Sequence, residues 1–522
     1  MSQFLESVGY NGWILHALVI LPLIGVVPVL LANERSAKYL ALAVTTLEFV
    51  LSAGLWWSLD PSRQSMQLVF DTPWIASWGI SYRVGMDGIS LVMVLLTTVL
   101  MPLSVLASWR YISVRERGFY ALMLILLAGL VGVFIALDLF VFYIFFDVVL
   151  IPMYFIIGIW GGTNRLYAAI KFIIYTMAGS LLMLVAIVVM VWKIQAVTGY
   201  LSFSYDHLLQ NAGAVGSLAP WLFAAFAIAF AIKVPIFPFH TWLPDAHVEA
   251  PTAGSVLLAA VMLKIGTYGF LRFAIPFFPQ VAMSPAVSHL MVVLAIIGII
   301  YGALVALVQP DFKKLVAYSS VSHMGFAMLG IWGGTMQSAQ GALMVMISHG
   351  LSTGALFLLI GMLYERRHTR LIADYGGIAR AIPIFSLILT VVSLASIGLP
   401  GLNGFVGEFL VLLGSFTSFP LATAIATTGV IFAAAYMLWA LQRLIFNPLD
   451  DPENERLTDL SGRELAVLLP LIAGIVWMGL YPAPVLRRTE SASARFLEAM
   501  KPHQLPESVR LGATPAAEVV QP

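Results

Sequence analysis

Apolar runs long enough to cross a bilayer recur along most of this chain, and nothing else constrains its fold as strongly. A transmembrane helix needs about 20 predominantly apolar residues in succession. Such runs lie near 13–32, 38–57, 88–108, 119–137, 139–160, 167–192, 219–239, 250–272, 285–308, 313–332, 338–362, 382–415, 421–446 and 465–484. They predict an all-α polytopic membrane protein of about 14 transmembrane helices, the twelfth run being long and interrupted. Composition agrees, with 60% of the 522 residues hydrophobic and 10% charged, against about 25% charged in an ordinary soluble domain. The net charge is +1 with no block of one sign, so the lipid bilayer is the expected partner and nucleic acid is not. There is no cysteine, which excludes disulfides, cysteine-held iron–sulfur clusters and thiolate zinc sites.

If the helices alternate, 16 of the 27 Lys and Arg residues fall on one side, Lys313 and those of the loops at 34–38, 110–117 and 365–380 among them, and 9 on the other. The positive-inside rule places those loops in the cytoplasm and both termini outside. No Lys or Arg precedes Arg35, so the first run is expected to be a retained helix rather than a cleaved signal peptide. Lys233 and Lys264 stay out of this count because both fall inside predicted helices.

The hexapeptide GIWGGT occurs at 158–163 and again at 330–335, each time between two helices. At the same offset Met177 aligns with His349, and Asp147 falls one helical turn before the partner of His323. This predicts two five-helix repeats, 119–272 and 285–446, after an N-terminal three-helix segment, 1–118. The remainder, 447–522, supplies a last transmembrane helix and a polar C-terminal tail. Five is odd, so the second copy is inverted in the membrane, the plan of transporters whose polar sites lie at the midplane on broken helices. The alternative is a chance match, since tight turns favour such residues anyway.

Ionisable residues inside the runs form a set: Asp147, Lys233, Lys264, His323, His349 and Glu408, with Glu48 apart on the second helix. A lysine at the centre of a bilayer helix costs roughly 2.5–3.5 kcal/mol on insertion scales. Lys233 precedes Pro235 and Pro238, whose missing amide hydrogens free backbone carbonyls. Burial disfavours a charged lysine and a nearby carboxylate restores it, so a lysine with a movable acidic partner can load and release protons. Asp147, five residues before Pro152, is the candidate acid; a neutral buried carboxylic acid is its plain alternative. Snorkelling to the interface is the alternative for Lys233, and is harder for Lys264 because apolar residues extend about two turns each way. His323 and His349 suit proton relay, or simply bond a neighbouring helix. Glu408 follows Pro400, Gly401, Asn403 and Gly404, which break the twelfth helix as the prolines break the seventh. His240, Asp245, His247 and Glu249 carry donor atoms for a metal, but their spacing fits no zinc or calcium signature; no metal site is expected.

KVPIFPFHTWLPDAHVEAPTAGSVLLA, DFKKLVAYSSVSHMGFA, MISHGLSTGALFLLIGMLYER and SIGLPGLNGFVGEFL resemble the antiporter-like proton-translocating subunits of respiratory complex I, most closely the M type, from about residue 80 to 480. The resemblance implies fourteen helices, inverted repeats with broken helices 7 and 12, and a relay through Lys233, Lys264, His323, His349 and Glu408. It also implies a bacterial inner-membrane location, antiporter-like neighbours on both sides, and no cofactor in this chain. Flavin and iron–sulfur clusters, with NADH and quinone, belong on this view to partner subunits. Glutamate at 408 is the M-type choice where other antiporter-like subunits generally carry lysine. Asp147 departs from the family's glutamate, one methylene longer, and puts the reach to Lys233 in doubt. The expected function is therefore a proton-pumping subunit driven by electron transfer elsewhere. The alternatives are a subunit of a multisubunit sodium/proton antiporter, which Glu408 disfavours, and a passive scaffold, which the buried charges disfavour.

Overall fold

The computed structural model describes residues 1–501; the polar tail expected after the last crossing is described as far as Lys501, and its remainder lies outside the described residues. Thirteen helices are long and apolar enough to cross a membrane, and two shorter apolar helices, Pro383–Ser396 and Asn403–Phe416, occupy the interrupted twelfth run. Counting that pair as one crossing gives the fourteen expected.

Helix boundaries follow local chemistry. Asp87 accepts from the amides of Ile89 and Ser90 at the start of Gly88–Tyr111, and Asp138 from Phe140 and Val141 before Leu139–Trp160. Thr335 and Ser461 close capping boxes. Each cap satisfies amides that the first helical turn leaves unpaired. The two GIWGGT copies behave alike: Trp160 donates its indole N–H to the Val114 carbonyl at 2.7 Å, and Trp332 to that of Ala282 at 3.3 Å.

The core is built from three helices. Thr252–Phe277 and Met336–Arg367 are buried through their whole apolar window, and Phe312–Trp332 nearly so, whereas Arg165–Thr198 is mostly exposed. A helix apolar all round belongs in the interior, and five of the six candidate relay residues sit on these helices or on the broken ones against them.

Two features were not legible as apolar runs. Gln67–Ile75 and Ile80–Met86 pair as an antiparallel hairpin between the second and third helices. After the last crossing, Ala483–Ala499 forms an amphipathic helix that buries Val485, Thr489, Ala492 and Phe496 against Gly88–Tyr111 and Met336–Arg367. Two of the basic residues that the alternation count treats as loop charges, Arg272 and Lys313, are buried within helices.

Candidate proton relay

The seventh run does not continue to 239. Ala219–Lys233 stops at the lysine, and Trp242–Glu249 resumes after an irregular segment. Pro235 has no amide hydrogen for the Ala231 carbonyl; the amide of Ile236 takes it instead at 2.8 Å, and the Trp242 indole donates to Ile232 O at 2.9 Å. Lys313 and Arg370 hold the far end of the short helix, Lys313 Nζ donating to Ala250 O at 2.6 Å and Arg370 to Val248 O at 2.7 Å. Cations belong at a helix C-terminus. The carbonyls that Pro235 frees are thus bonded again, with Lys233 at the edge of the break.

Lys233 is buried, and its Nζ has no hydrogen-bond partner among the described residues. It stands 4.9 Å over the Phe146 ring and 6.0 Å from that of Phe172, a cation–π setting. Asp147 follows Phe146 directly, yet its Oδ1 is also buried and unpartnered, and no ion pair closes between the two groups. The shorter acid does leave the contact open.

Lys264 is placed differently. A π-helical stretch, Leu258–Met262, precedes it, and its Nζ donates to the Ala259 carbonyl five residues back at 2.7 Å. Widened turns of this kind are frequent at functional sites. The same ammonium meets His349 Nδ1 at 2.6 Å. Nδ1 then accepts, which puts the ring hydrogen of neutral His349 on Nε2. The His349 and His323 ring centroids are 5.7 Å apart. His323 Nδ1 lies 2.9 Å from Glu408 Oε1, and its Nε2 lies 3.3 Å from the Ser396 hydroxyl.

Glu408 reaches back into the twelfth-helix break. Gly398, at φ +76°, lies in that break, and a Cβ there would fall 2.9 Å from Glu408 Oε2, so only glycine leaves the carboxylate its place. Ser396 ends one half-helix while Glu408 belongs to the other, and both hold His323. Lys264, His349, His323 and Glu408 therefore form one line of contacts. Lys233 and Asp147 stand outside it. Helix seven meets helix eight where Gly266 backs onto Phe230, leaving only 2.6 Å between a would-be Cβ and the Phe230 carbonyl oxygen; the two lysines flank this contact.

Glu48 is fully buried with neither carboxylate oxygen bonded, and it joins no other candidate. The four residues weighed as metal ligands turn to different partners. Asp245 pairs with Lys171 at 2.7 Å, Glu249 accepts from the Asn164 amide, His240 stacks on Phe237, and His247 stacks on Phe357 at 4.7 Å.

Ser396 and Arg272 escaped the sequence reading, and His247 was weighed there only as a metal ligand. Ser396 carries no charge to mark it, although it stands directly before the glycine and proline of the break. His247 is wholly buried with both ring nitrogens unpartnered among the described residues. Arg272 makes a two-pronged pair with Asp87, at 2.6 and 2.7 Å. Burial pushes the Asp87 carboxyl up, but the guanidinium beside it brings it below the usual range.

Comparison with known proteins separates the readings. Residues 136–434 match the family described as NADH:quinone oxidoreductase/Mrp antiporter, a description that both leading readings share. Residues 18–133 match the amino terminus of NADH-ubiquinone oxidoreductase chain 4, which only one of them does. NADH-quinone oxidoreductase subunit M of Rhodobacter capsulatus is 46% identical over 460 residues, covering 87% of this chain and 89% of that one. The chain belongs to the NADH-quinone oxidoreductase subunit M family. The Pseudomonas aeruginosa subunit M is 44% identical over 493 residues, covering 91% of this chain and 95% of the relative. A chain of respiratory complex I from Thermus thermophilus has the same fold, with a TM-score of 0.84, 34% identity, and coverage of 94% of this chain and 100% of that one.

Proposed function

We propose that this chain is a proton-pumping subunit in the membrane arm of an NADH:quinone oxidoreductase, and that its relay runs from Lys233 through Lys264, His349 and His323 to Glu408. The observation that carries the relay is the line of Lys264, His349, His323 and Glu408, in which two contacts of hydrogen-bond length are joined by imidazole rings 5.7 Å apart. Membership of the subunit M family supports the assignment to complex I.

The relay has two unlike parts. Lys264 can pass a proton along its 2.6 Å contact to His349 Nδ1; His349, then charged, can release the proton on its Nε2. His323 accepts on the nitrogen facing Ser396 and gives up its Nδ1 proton to Glu408 at 2.9 Å. The one longer step, between the imidazoles, needs a ring rotation or a bridging water. By contrast, Lys233 has no hydrogen bond to carry a proton on to Lys264; it faces the rings of Phe146 and Phe172. Asp147 acts on Lys233 through its charge; moving it closer or farther changes how readily that lysine gives up its proton. Transfer from Lys233 to Lys264 is the step that conformational change controls, and the contacts beyond it conduct.

Electron transfer from NADH to quinone belongs on this reading to partner subunits carrying flavin and iron–sulfur clusters, with antiporter-like subunits on both sides of this one. Both termini face outward from a bacterial inner membrane, as the basic loops imply. The test is proton uptake measured together with quinone reduction in inverted vesicles. Lys233→Ala is expected to leave the complex assembled on a native gel and to lower both rates by at least tenfold, because the relay loses the base at its head. Normal pumping in an assembled Lys233→Ala complex would remove that lysine from the relay, and sodium-dependent exchange without an electron donor would favour the antiporter reading.

A further inference from the structure

One side of the molecule carries an apolar groove of 320 Å³ between the second, third and fourteenth helices, with the eleventh as its floor. Phe49, Trp57, Leu96, Ile347, Leu351 and Trp477 line it. All of these helices except the short Leu55–Ser58 turn are long membrane-crossing elements, so the groove opens at the depth of lipid rather than water. Ile347 and Leu351 lie one helical turn apart and face the groove, while His349, two residues from each, lies on the opposite side of the same helix; Leu96 is 2.7 Å from the position a Cβ on Gly350 would take.

The size of the groove selects its occupant. A helix with side chains is about 10 Å across, so 320 Å³ holds roughly 4 Å of it, less than one turn. An apolar cavity of about 150 Å³ takes one benzene, and a slender hydrocarbon chain suits about twice that volume. Chemistry at one end supplies the rest of the recognition. Trp56, Trp57 and Trp477 line the groove there, beside Val485 at the start of the amphipathic helix Ala483–Ala499. The Arg488 guanidinium lies 5.1 Å over the Trp56 ring and spends one N–H on the Leu59 carbonyl at 2.6 Å. Its other donors are left for an anion, and the exposed Arg487 adds a second charge. Asp60, the acid that acts on Arg488, is itself paired with Arg63 at 3.5 Å. Tryptophans and arginines at the end of an apolar trough match a lipid headgroup boundary.

We propose that this groove holds one acyl chain of a glycerophospholipid whose phosphate rests on Arg487 and Arg488.

The experiment uses the assembled complex in native membranes, with p-benzoylphenylalanine introduced at Phe49 and, in a second variant, at Trp477. On irradiation, the expected product is a peptide of this chain carrying the mass of a phospholipid, its yield falling at least fivefold when Arg487→Gln and Arg488→Gln are combined. An adduct to another polypeptide, no adduct at either position, or a yield indifferent to the arginines would each overturn lipid binding while leaving the relay untouched.

Discussion

Glu408→Asp and Glu408→Gln divide two properties that the wild-type side chain combines. In the structure the Glu408 carboxylate sits 2.9 Å from His323 Nδ1. Removing one methylene withdraws the carboxylate by about 1.5 Å, one C–C bond. The contact then opens to roughly 4.4 Å, beyond any hydrogen bond. Glutamine keeps the reach and an accepting oxygen but cannot take a proton. The stability consequence of the glutamine change is small: a charge-assisted bond worth about 1.5–3 kcal/mol gives way to a neutral one worth about 0.5–1.5. The complex should therefore assemble in both cases. Loss of a positioned acid or base typically slows proton transfer by about 10²–10⁴. Proton uptake coupled to quinone reduction should fall by about that factor in Glu408→Gln. It should fall less in Glu408→Asp, where a bridging water can restore the path. The assay is proton uptake and quinone reduction followed in the same inverted vesicles, with assembly read on a native gel. Wild-type pumping in Glu408→Gln would refute the relay as drawn, and a worse defect in Glu408→Asp would mean that the carboxylate only positions His323.

Asp147→Asn should impair pumping in assembled complex, while Asp147→Glu, which extends the acid toward Lys233, should retain it; equal activity of Asn and Asp would make the residue structural. Arg272→Met leaves Asp87 buried and unpaired, a loss of about 3–5 kcal/mol, so the yield of assembled complex should drop sharply. Combining it with Asp87→Leu should recover part of the loss. Asp138 caps its helix just before the membrane-crossing segment, and burial pushes its carboxyl up to about 6. Because the folded protein holds this proton more tightly than the unfolded chain, Asp138 favours folding at pH 4 and loses that contribution as pH rises through about 6. The slope of thermal stability against pH over that window should flatten in Asp138→Asn, and an unchanged slope would place the titrating group elsewhere.

The membrane crossings could be read from the sequence because lipid imposes one rule on every segment, an apolar run of fixed length. The relay residues were legible for the converse reason: a charge inside such a run is too costly to be idle. What stayed hidden depends on the third dimension. Arg272 and Lys313 sit where helix and loop meet, and hydropathy cannot tell an arginine facing water from one locked to Asp87. The hairpin at 67–86 and the amphipathic helix at 483–499 bury too little for an apolar run. Ser396 carries no charge, so only its position before the break marks it. Asp147 shows the opposite limit: its presence was plain, but whether it touches Lys233 turns on a single methylene.

The difference between the two halves of the relay argues for where energy can enter. Lys264, His349, His323 and Glu408 are linked by contacts of hydrogen-bond length apart from the gap between the imidazoles, so no large movement is required there. Lys233 faces phenylalanine rings and an acid that does not reach it. Phe146 makes that arrangement sensitive, since it precedes Asp147 and also supplies the ring under the ammonium. A rotation of the fifth helix would move cation–π partner and carboxylate together, exchanging one form of stabilisation for the other. The break beside Lys233 is held by the Ile236 amide and the Trp242 indole, and Lys313 and Arg370 hold the far end of the helix that follows, so it can stay in place while the fifth helix turns. In the proposed relay, coupling at this end therefore needs only the displacement of one helix, and the imidazole gap is the one further step.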